Sequence, residues 1–132
     1  MIIGIGHDMT ELLRVRKLLA GTIGEKFLRR IFTEQEYEEL STTVGEVRKV
    51  EYVAGRFAVK EAVSKAFGCG IGSKLGFHDI EIKRSVNGKP ICNITATALE
   101  ALGYGAMNLD IHVSITHERE LASAFVVVES RT

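Results

Sequence analysis

Asp8 and Glu61 are the two carboxylates that this sequence places best for joint chemistry. Asp8 ends the opening Ile2-Ile3-Gly4-Ile5-Gly6-His7, and Glu61 lies on the polar arc of a long helical stretch. A hard divalent cation such as Mg²⁺ binds through one or two carboxylates plus waters and substrate phosphates, which is what such a pair would supply. A lysine beside a metal-bound pyrophosphate, Lys65 or Lys60, would neutralise charge on a leaving group. The same residues also read as a helix cap (Asp8), an exposed i,i+4 ion pair (Glu61 with Lys65) and solvated lysines, and pattern alone leaves both readings open.

Other candidates are softer. His112 and His117 bracket Ser114-Ile115-Thr116, whose donors would suit a phosphate or ribose, although a solvated strand face has the same pattern. His7-Asp8 and His78-Asp79 invite a metal-dependent phosphohydrolase, but such sites cluster several histidines on helices. Gly68, Gly70, Gly72 and Gly76 form either a nest of amides for phosphate or a plain connector. Gly4 and Gly6 begin a dinucleotide fingerprint that fails, because the third glycine position holds Met9. From Arg14 to Arg30 six Lys/Arg (Arg14, Arg16, Lys17, Lys26, Arg29, Arg30) stand against Glu25 alone. That surplus suits an acidic protein helix better than a polyanion, which Glu34, Glu36, Glu38 and Glu39 would repel.

The elements that must position these residues follow from period and punctuation. A β-branched strand over 2–5 delivers His7 and Asp8 at its end, and Thr10 caps a helix over roughly 11–20. A further helical turn holds Phe27 to Phe32, and Thr33-Glu34-Gln35-Glu36 is a capping box opening a short helix towards Leu40, with a loop from Ser41 to Glu46. The longest helix runs from about Val50 to Phe67 and stops at Gly68. Ala58, Val59, Ala62, Val63, Ala66 and Phe67 form one side, and Arg56, Lys60, Glu61, Ser64 and Lys65 gather opposite.

Asp79 to Lys83 alternates as a strand, Asn87-Gly88 predicts a type I′ hairpin turn into Lys89-Pro90-Ile91, and Thr95 to Gly103 is a short helix. Leu109 to Thr116 puts Leu109, Ile111, Val113 and Ile115 on one face and Asp110, His112, Ser114 and Thr116 on the other. The strand Leu121 to Val128 is apolar on both faces and needs cover on two sides, either from a helix and a sheet or from another subunit. Helices interleaved with mostly antiparallel strands make the class α+β.

Composition bounds the rest. With 132 residues the chain makes one domain, 1–132, and 45 % hydrophobic with 26 % charged residues excludes disorder as its main state. Seventeen Lys+Arg balance seventeen Asp+Glu, so no global field favours nucleic acid. The two cysteines, Cys69 and Cys92, form no CxxC pair, which argues against structural zinc and for a reducing cytoplasm. No apolar run is long enough to enter a membrane.

Four blocks then carry a resemblance: Gly4-Ile5-Gly6-His7-Asp8-Met9-Thr10-Glu11; Arg56-Phe57-Ala58-Val59-Lys60-Glu61-Ala62-Val63-Ser64-Lys65-Ala66-Phe67-Gly68; Gly70-Ile71-Gly72 to Phe77-His78-Asp79-Ile80-Glu81; and His112-Val113-Ser114-Ile115-Thr116-His117. In order and over the whole length, they resemble the bacterial holo-(acyl-carrier-protein) synthases of the 4′-phosphopantetheinyl transferase superfamily. The resemblance implies an α+β homotrimer, a mostly antiparallel sheet against a long helix, with sites between subunits. It implies transfer of the 4′-phosphopantetheine arm of coenzyme A to a serine of apo acyl carrier protein, releasing adenosine 3′,5′-bisphosphate, for fatty acid synthesis. Asp8 and Glu61 align with the Mg²⁺ ligands and Lys65 with the catalytic lysine at the phosphates. Arg56, Lys65, Gly68, His112, Ser114, Thr116 and His117 would contact coenzyme A, while Arg14, with Lys17, Phe27 and Arg30 beside it, would dock the carrier. Two rival readings are a non-catalytic module docking acidic helices and a phosphohydrolase built on the His-Asp pairs.

Overall fold

The chain alternates between two ways of burying apolar surface, sheet on helix and helix on helix. The structure, a computed structural model, describes residues 1–132. Its elements are β1 (Ile2–Glu11), α1 (Leu12–Ala20), α2 (Gly24–Ile31), α3 (Glu34–Thr42), α4 (Glu46–Ala66), a 3-10 turn at Phe77–Asp79, β2 (Ile80–Arg84), β3 (Pro90–Ile94), α5 (Ala96–Ala101), β4 (Leu109–His117) and β5 (Leu121–Ser130). The fold is α+β and every strand pair is antiparallel: one sheet has the order β1-β5-β4, and β2-β3 is a separate hairpin.

α4 is the axis of the molecule. Its Ala58, Val59, Ala62 and Val63 are fully buried against Ala124, Val126 and Val128 of β5 and Ile80 and Ile82 of β2. A second core gathers Val15, Ile31, Phe32, Leu40, Val50, Tyr52 and Val53 under α1, α2 and α3. The inward face of β4 is the expected one, with Leu109, Ile111, Val113 and Ile115 packed on the first core. Only the inner face of β5 is covered. On its outer face Phe125 is exposed, beside Ile5 and Met9 of β1, which are each 59 % accessible.

The structure corrects several expectations. β1 does not end near Ile5 but runs to Glu11, paired with β5 as far as Leu121, so His7 and Asp8 lie mid-strand. Thr10 therefore caps nothing: it is a buried strand residue whose Oγ1 has no partner, and Glu11 occupies the cap of α1. α2 begins earlier than Phe27, α3 runs through Ser41 and Thr42, and α4 starts at Glu46 rather than Val50. The polar arc of α4 is not solvated throughout, because α2, α3 and β2 cover it: Arg56, Lys60 and Ser64 are buried. Asn87-Gly88 is not a type I′ turn, which needs positive φ at both residues, whereas only Gly88 is positive, at +84°. Gly88 N–H bonds Ser85 O and Ser85 N–H bonds Lys89 O, so a turn over 85–88 with a left-handed glycine closes the hairpin. The capping box of α3 is as expected, Thr33 Oγ1 accepting from Glu36 N and Glu36 Oε1 from Thr33 N. So is Gly68, at φ +72°, just past the end of α4.

Candidate active site

Two glycines bring a strand onto a helix backbone. A Cβ on Gly6 would stand 1.8 Å from the Ala62 carbonyl oxygen, and one on Gly4 1.8 Å from that of Ala66, so β1 rests on α4 with no side chain between. The alanine face of α4 makes the matching surface. Two residues beyond Gly6, and on the same strand face, comes Asp8, where it meets the polar edge of α4.

Lys65 Nζ donates to Asp8 Oδ1 at 2.8 Å and to the His7 carbonyl at 3.3 Å, across 57 positions of sequence in the first case. Glu61 lies one turn before Lys65 on α4. Burial first, and then the negative charge of Asp8, push the Glu61 carboxyl above the usual carboxylate range, with Lys65 opposing. Hydrogen bonding to Asp8, then its charge, holds the Lys65 ammonium above its ordinary value. A carboxylate whose ionisation is opposed by burial and by a neighbouring carboxylate forms with it an oxygen donor set that gains from a further cation. By donor chemistry, two carboxylates beside an exposed lysine, the residues present fit a divalent ion of Mg²⁺ type.

The glycine loop opens beside this group. Gly68 and Gly70 are both left-handed, at +72° and +67°, and their neighbourhood with Lys74, Phe67 and Tyr104 lines a shallow cleft of about 440 Å³. Cys69 there is exposed, whereas burial pushes the Cys92 thiol up to about 12, leaving it unreactive.

The remaining candidates divide into separate groups. Arg56 is nine residues from Lys65, hence about 14 Å along α4 and half a turn round it. It is buried, its guanidinium stacked on Tyr52 and 3.4 Å from Glu39, and its Nε has no partner. His112, Ser114 and Thr116 are exposed on the outer face of β4, two strand spacings (about 10 Å) from β1. His117 points to the opposite face, its Nε2 3.0 Å from Glu51 O and packed at Gly55. One chain thus assembles Asp8, Glu61 and Lys65, with Gly68 three residues further along the chain, and leaves the other five elsewhere.

The His-Asp pairs do not form a site. His7 and Asp8 point to opposite faces of β1, with His7 Nε2 2.9 Å from Ser123 Oγ and its ring against Phe125, while His78 Nε2 is 2.8 Å from the Arg29 carbonyl. In the basic cluster Arg16 pairs with Glu46 and Arg29 with Glu25, so Arg14, Lys17, Lys26 and Arg30 are exposed without ion pairs. Phe27 is half-buried, its ring 6.0 Å from that of Phe57. Two polar groupings escaped the sequence reading. Asp110, His112 and Glu129 place one ligand atom each within 4.8 Å, with Asp110 also paired to Arg131; strand parity joins 110 and 112, but Glu129 enters only through the β4-β5 register. Lys60 and Glu36 form a fully buried pair, and only the capping box hinted at Glu36.

Residues 4–123 match the family profile described as the 4′-phosphopantetheinyl transferase superfamily. A holo-(acyl-carrier-protein) synthase of Bacillus subtilis is 48 % identical over 132 residues, covering 98 % of this chain and 97 % of the relative. A Bacillus anthracis holo-(acyl-carrier-protein) synthase solved in complex with CoA (3′,5′-ADP) superposes with a TM-score of 0.82 at 43 % identity, covering 98 % of both chains. The Neisseria meningitidis enzyme of the same name gives 0.86 at 34 % identity, covering 98 % and 99 %.

Proposed function

We infer the chemistry from an established premise: this chain belongs to the 4′-phosphopantetheinyl transferase superfamily. Its reaction is transfer of the 4′-phosphopantetheine arm of coenzyme A to a serine hydroxyl of an apo acyl carrier protein. The serine oxygen–phosphorus bond forms as the bond to the bridging pyrophosphate oxygen breaks, releasing adenosine 3′,5′-bisphosphate. The observation that carries this to particular residues is the convergence of Asp8, Glu61 and Lys65 where β1 meets α4.

Asp8 and Glu61 would hold Mg²⁺, which when bound neutralises charge on the pyrophosphate. Lys65 is held at that place by Asp8 and the His7 carbonyl, so its ammonium is already oriented towards a phosphate before the substrate arrives. The nucleophile belongs to the carrier, so this chain needs no nucleophile of its own.

His112, Ser114 and Thr116 reach coenzyme A most simply as contributions from a second copy, whereas Arg56, buried against Tyr52 and Glu39, and His117, on the other sheet face, do not lie on that surface. Supporting this, the outer sheet face that bears His112, Ser114 and Thr116 also exposes Ile5, Met9 and Phe125. A homotrimer covers that face and joins the two sets of residues. Sedimentation should give three times the chain mass, and the substitution Phe125→Glu should yield monomers that have lost transfer; a fully active monomer would overturn the shared site.

Arg14, Lys17 and Arg30, with Phe27 as the apolar contact, dock the acidic helix of the carrier. Reversing Arg14 to Glu should raise the KM for carrier about tenfold at low salt, with the effect shrinking as salt rises, and leave the KM for coenzyme A unchanged. No helix is long and apolar enough to cross a membrane, in keeping with a cytoplasmic partner. The deciding experiment is the intact mass of apo carrier after incubation with this protein, coenzyme A and Mg²⁺. A gain of one phosphopantetheine arm, abolished by chelator, is expected; no gain on any carrier from folded protein would leave a non-catalytic docking module.

A further inference from the structure

Lys60, next to Glu61 on α4, is wholly inaccessible, and Glu36 is 1 % accessible. All three ammonium protons of Lys60 are used: on Glu36 Oε1 at 2.6 Å, the Ile31 carbonyl at 2.7 Å and the Phe77 carbonyl at 3.0 Å. Glu36 accepts as well from Thr33 N at 3.0 Å and Ile82 N at 2.9 Å. This one pair therefore ties together the last residue of α2, the first turn of α3, the middle of α4, the turn that follows the glycine loop and the start of the β2-β3 hairpin. Two neighbours reinforce it: His78 Nε2 lies 2.8 Å from the Arg29 carbonyl, and Thr33 Oγ1 donates to Glu81 Oε2 at 2.7 Å.

A buried ion pair is a poor source of stability, because well-packed apolar residues of similar volume are often as good or better. What it supplies is direction. The apolar contact of α2 with α4, through the Phe27 and Phe57 rings, tolerates sliding, whereas four hydrogen bonds to fixed backbone groups, joined through the Lys60–Glu36 contact, do not. We propose that Lys60 and Glu36 are positioning residues, a clasp that keeps α2, which shares the docking residues with α1, in register with α4, so that an acceptor hydroxyl delivered there meets the phosphate beside Glu61 and Lys65. The proposal rests on the transferase reading for what is being aligned. In a reaction between two bound partners a misplacement of about 1 Å is enough to cost on the order of a hundredfold in rate.

The test is the double variant Lys60→Met with Glu36→Met, which removes both charges and leaves no unpaired one. Expected are a melting temperature within a few degrees of the parent, an unchanged KM for coenzyme A, and a kcat on carrier reduced at least tenfold. Amides 29–33 and 77–79 should exchange faster while those of 58–66 stay protected. A folded double variant with kcat within twofold of the parent overturns the proposal. Should the variant not fold, native-state exchange of the parent decides: the clasp requires 31–33 and 77–79 to open together with the α4 core, and independent, easier opening refutes it. The exchange measurements need no turnover. An inactive parent would therefore refute the transferase reading and still leave the clasp decidable.

Discussion

We expect Glu61→Gln to lower the transfer rate by about a thousandfold while leaving the fold intact. The amide matches the carboxylate in shape but cannot share a cation with Asp8, and the loss of charge stabilisation at a phosphoryl centre is worth several kcal/mol, each 1.36 kcal/mol of which is tenfold. Because Asp8 and Glu61 repel one another, the neutral variant should melt no lower than the parent. Kinetics beside calorimetric Mg²⁺ titration measure both effects, and a purified variant with full activity would exclude Glu61 as a ligand.

The pH dependence has a definite sign. The folded state raises the Glu61 pKa, through burial and then Asp8, so it binds that proton more tightly than the unfolded chain does. Stability from this group is therefore present at low pH and declines as pH rises from the ordinary glutamate value through the raised one. Cation binding needs the ionised form and runs the opposite way. The acidic limb of activity should consequently lie above the ordinary glutamate value, and high Mg²⁺ should move it down.

Gly6→Ala is the expected largest loss of stability. Its Cβ would sit 1.8 Å from the Ala62 oxygen, an overlap of backbone with backbone, and neither side has room to move. Gly6 is held in register with Val126 of β5, and Ala62 is within the hydrogen-bonded turns of α4. Overpacking of this kind costs more than about 3 kcal/mol, a large fraction of the whole stability of such a domain. Melting should fall by roughly 10 °C or more. Gly72→Ala is the control: it has nothing within 4 Å and should cost less than about 0.5 kcal/mol. An unaltered melting temperature for Gly6→Ala would mean that β1 does not lie directly on α4. Because the same contact sets Asp8 beside Glu61 and Lys65, any folded fraction should also have weaker Mg²⁺ binding.

Legibility followed the range of the interactions. Local ones could be read: the Thr33 capping box, the glycine stop at Gly68 and the alternation of β4 all depend on residues within four positions of each other. Boundaries set by distant partners could not. β1, ten residues against the four of its β-branched opening, is this long because β5 offers it partners out to Leu121, and this pairing turned Thr10 from a cap into a strand residue. Lys60 on the polar arc had the pattern of a solvated side chain; it is buried because Glu36 and two carbonyls, from other elements, satisfy it.

By its own residues the sequence determined the class of fold, the glycine-marked strand and alanine-faced helix, and, through its ordered motifs, the kinship from which roles for Asp8, Glu61 and Lys65 are proposed. Periodicity specifies which residues share a face, and motif order carries ancestry. Only the tertiary structure decided which faces meet. It set Lys65 at 2.8 Å from Asp8, buried Arg56 against Tyr52 and Glu39, and brought Glu129 beside His112. These placements depend on strand register and helix rotation, where a shift of one residue turns a side chain to the other face of a strand or 100° round a helix.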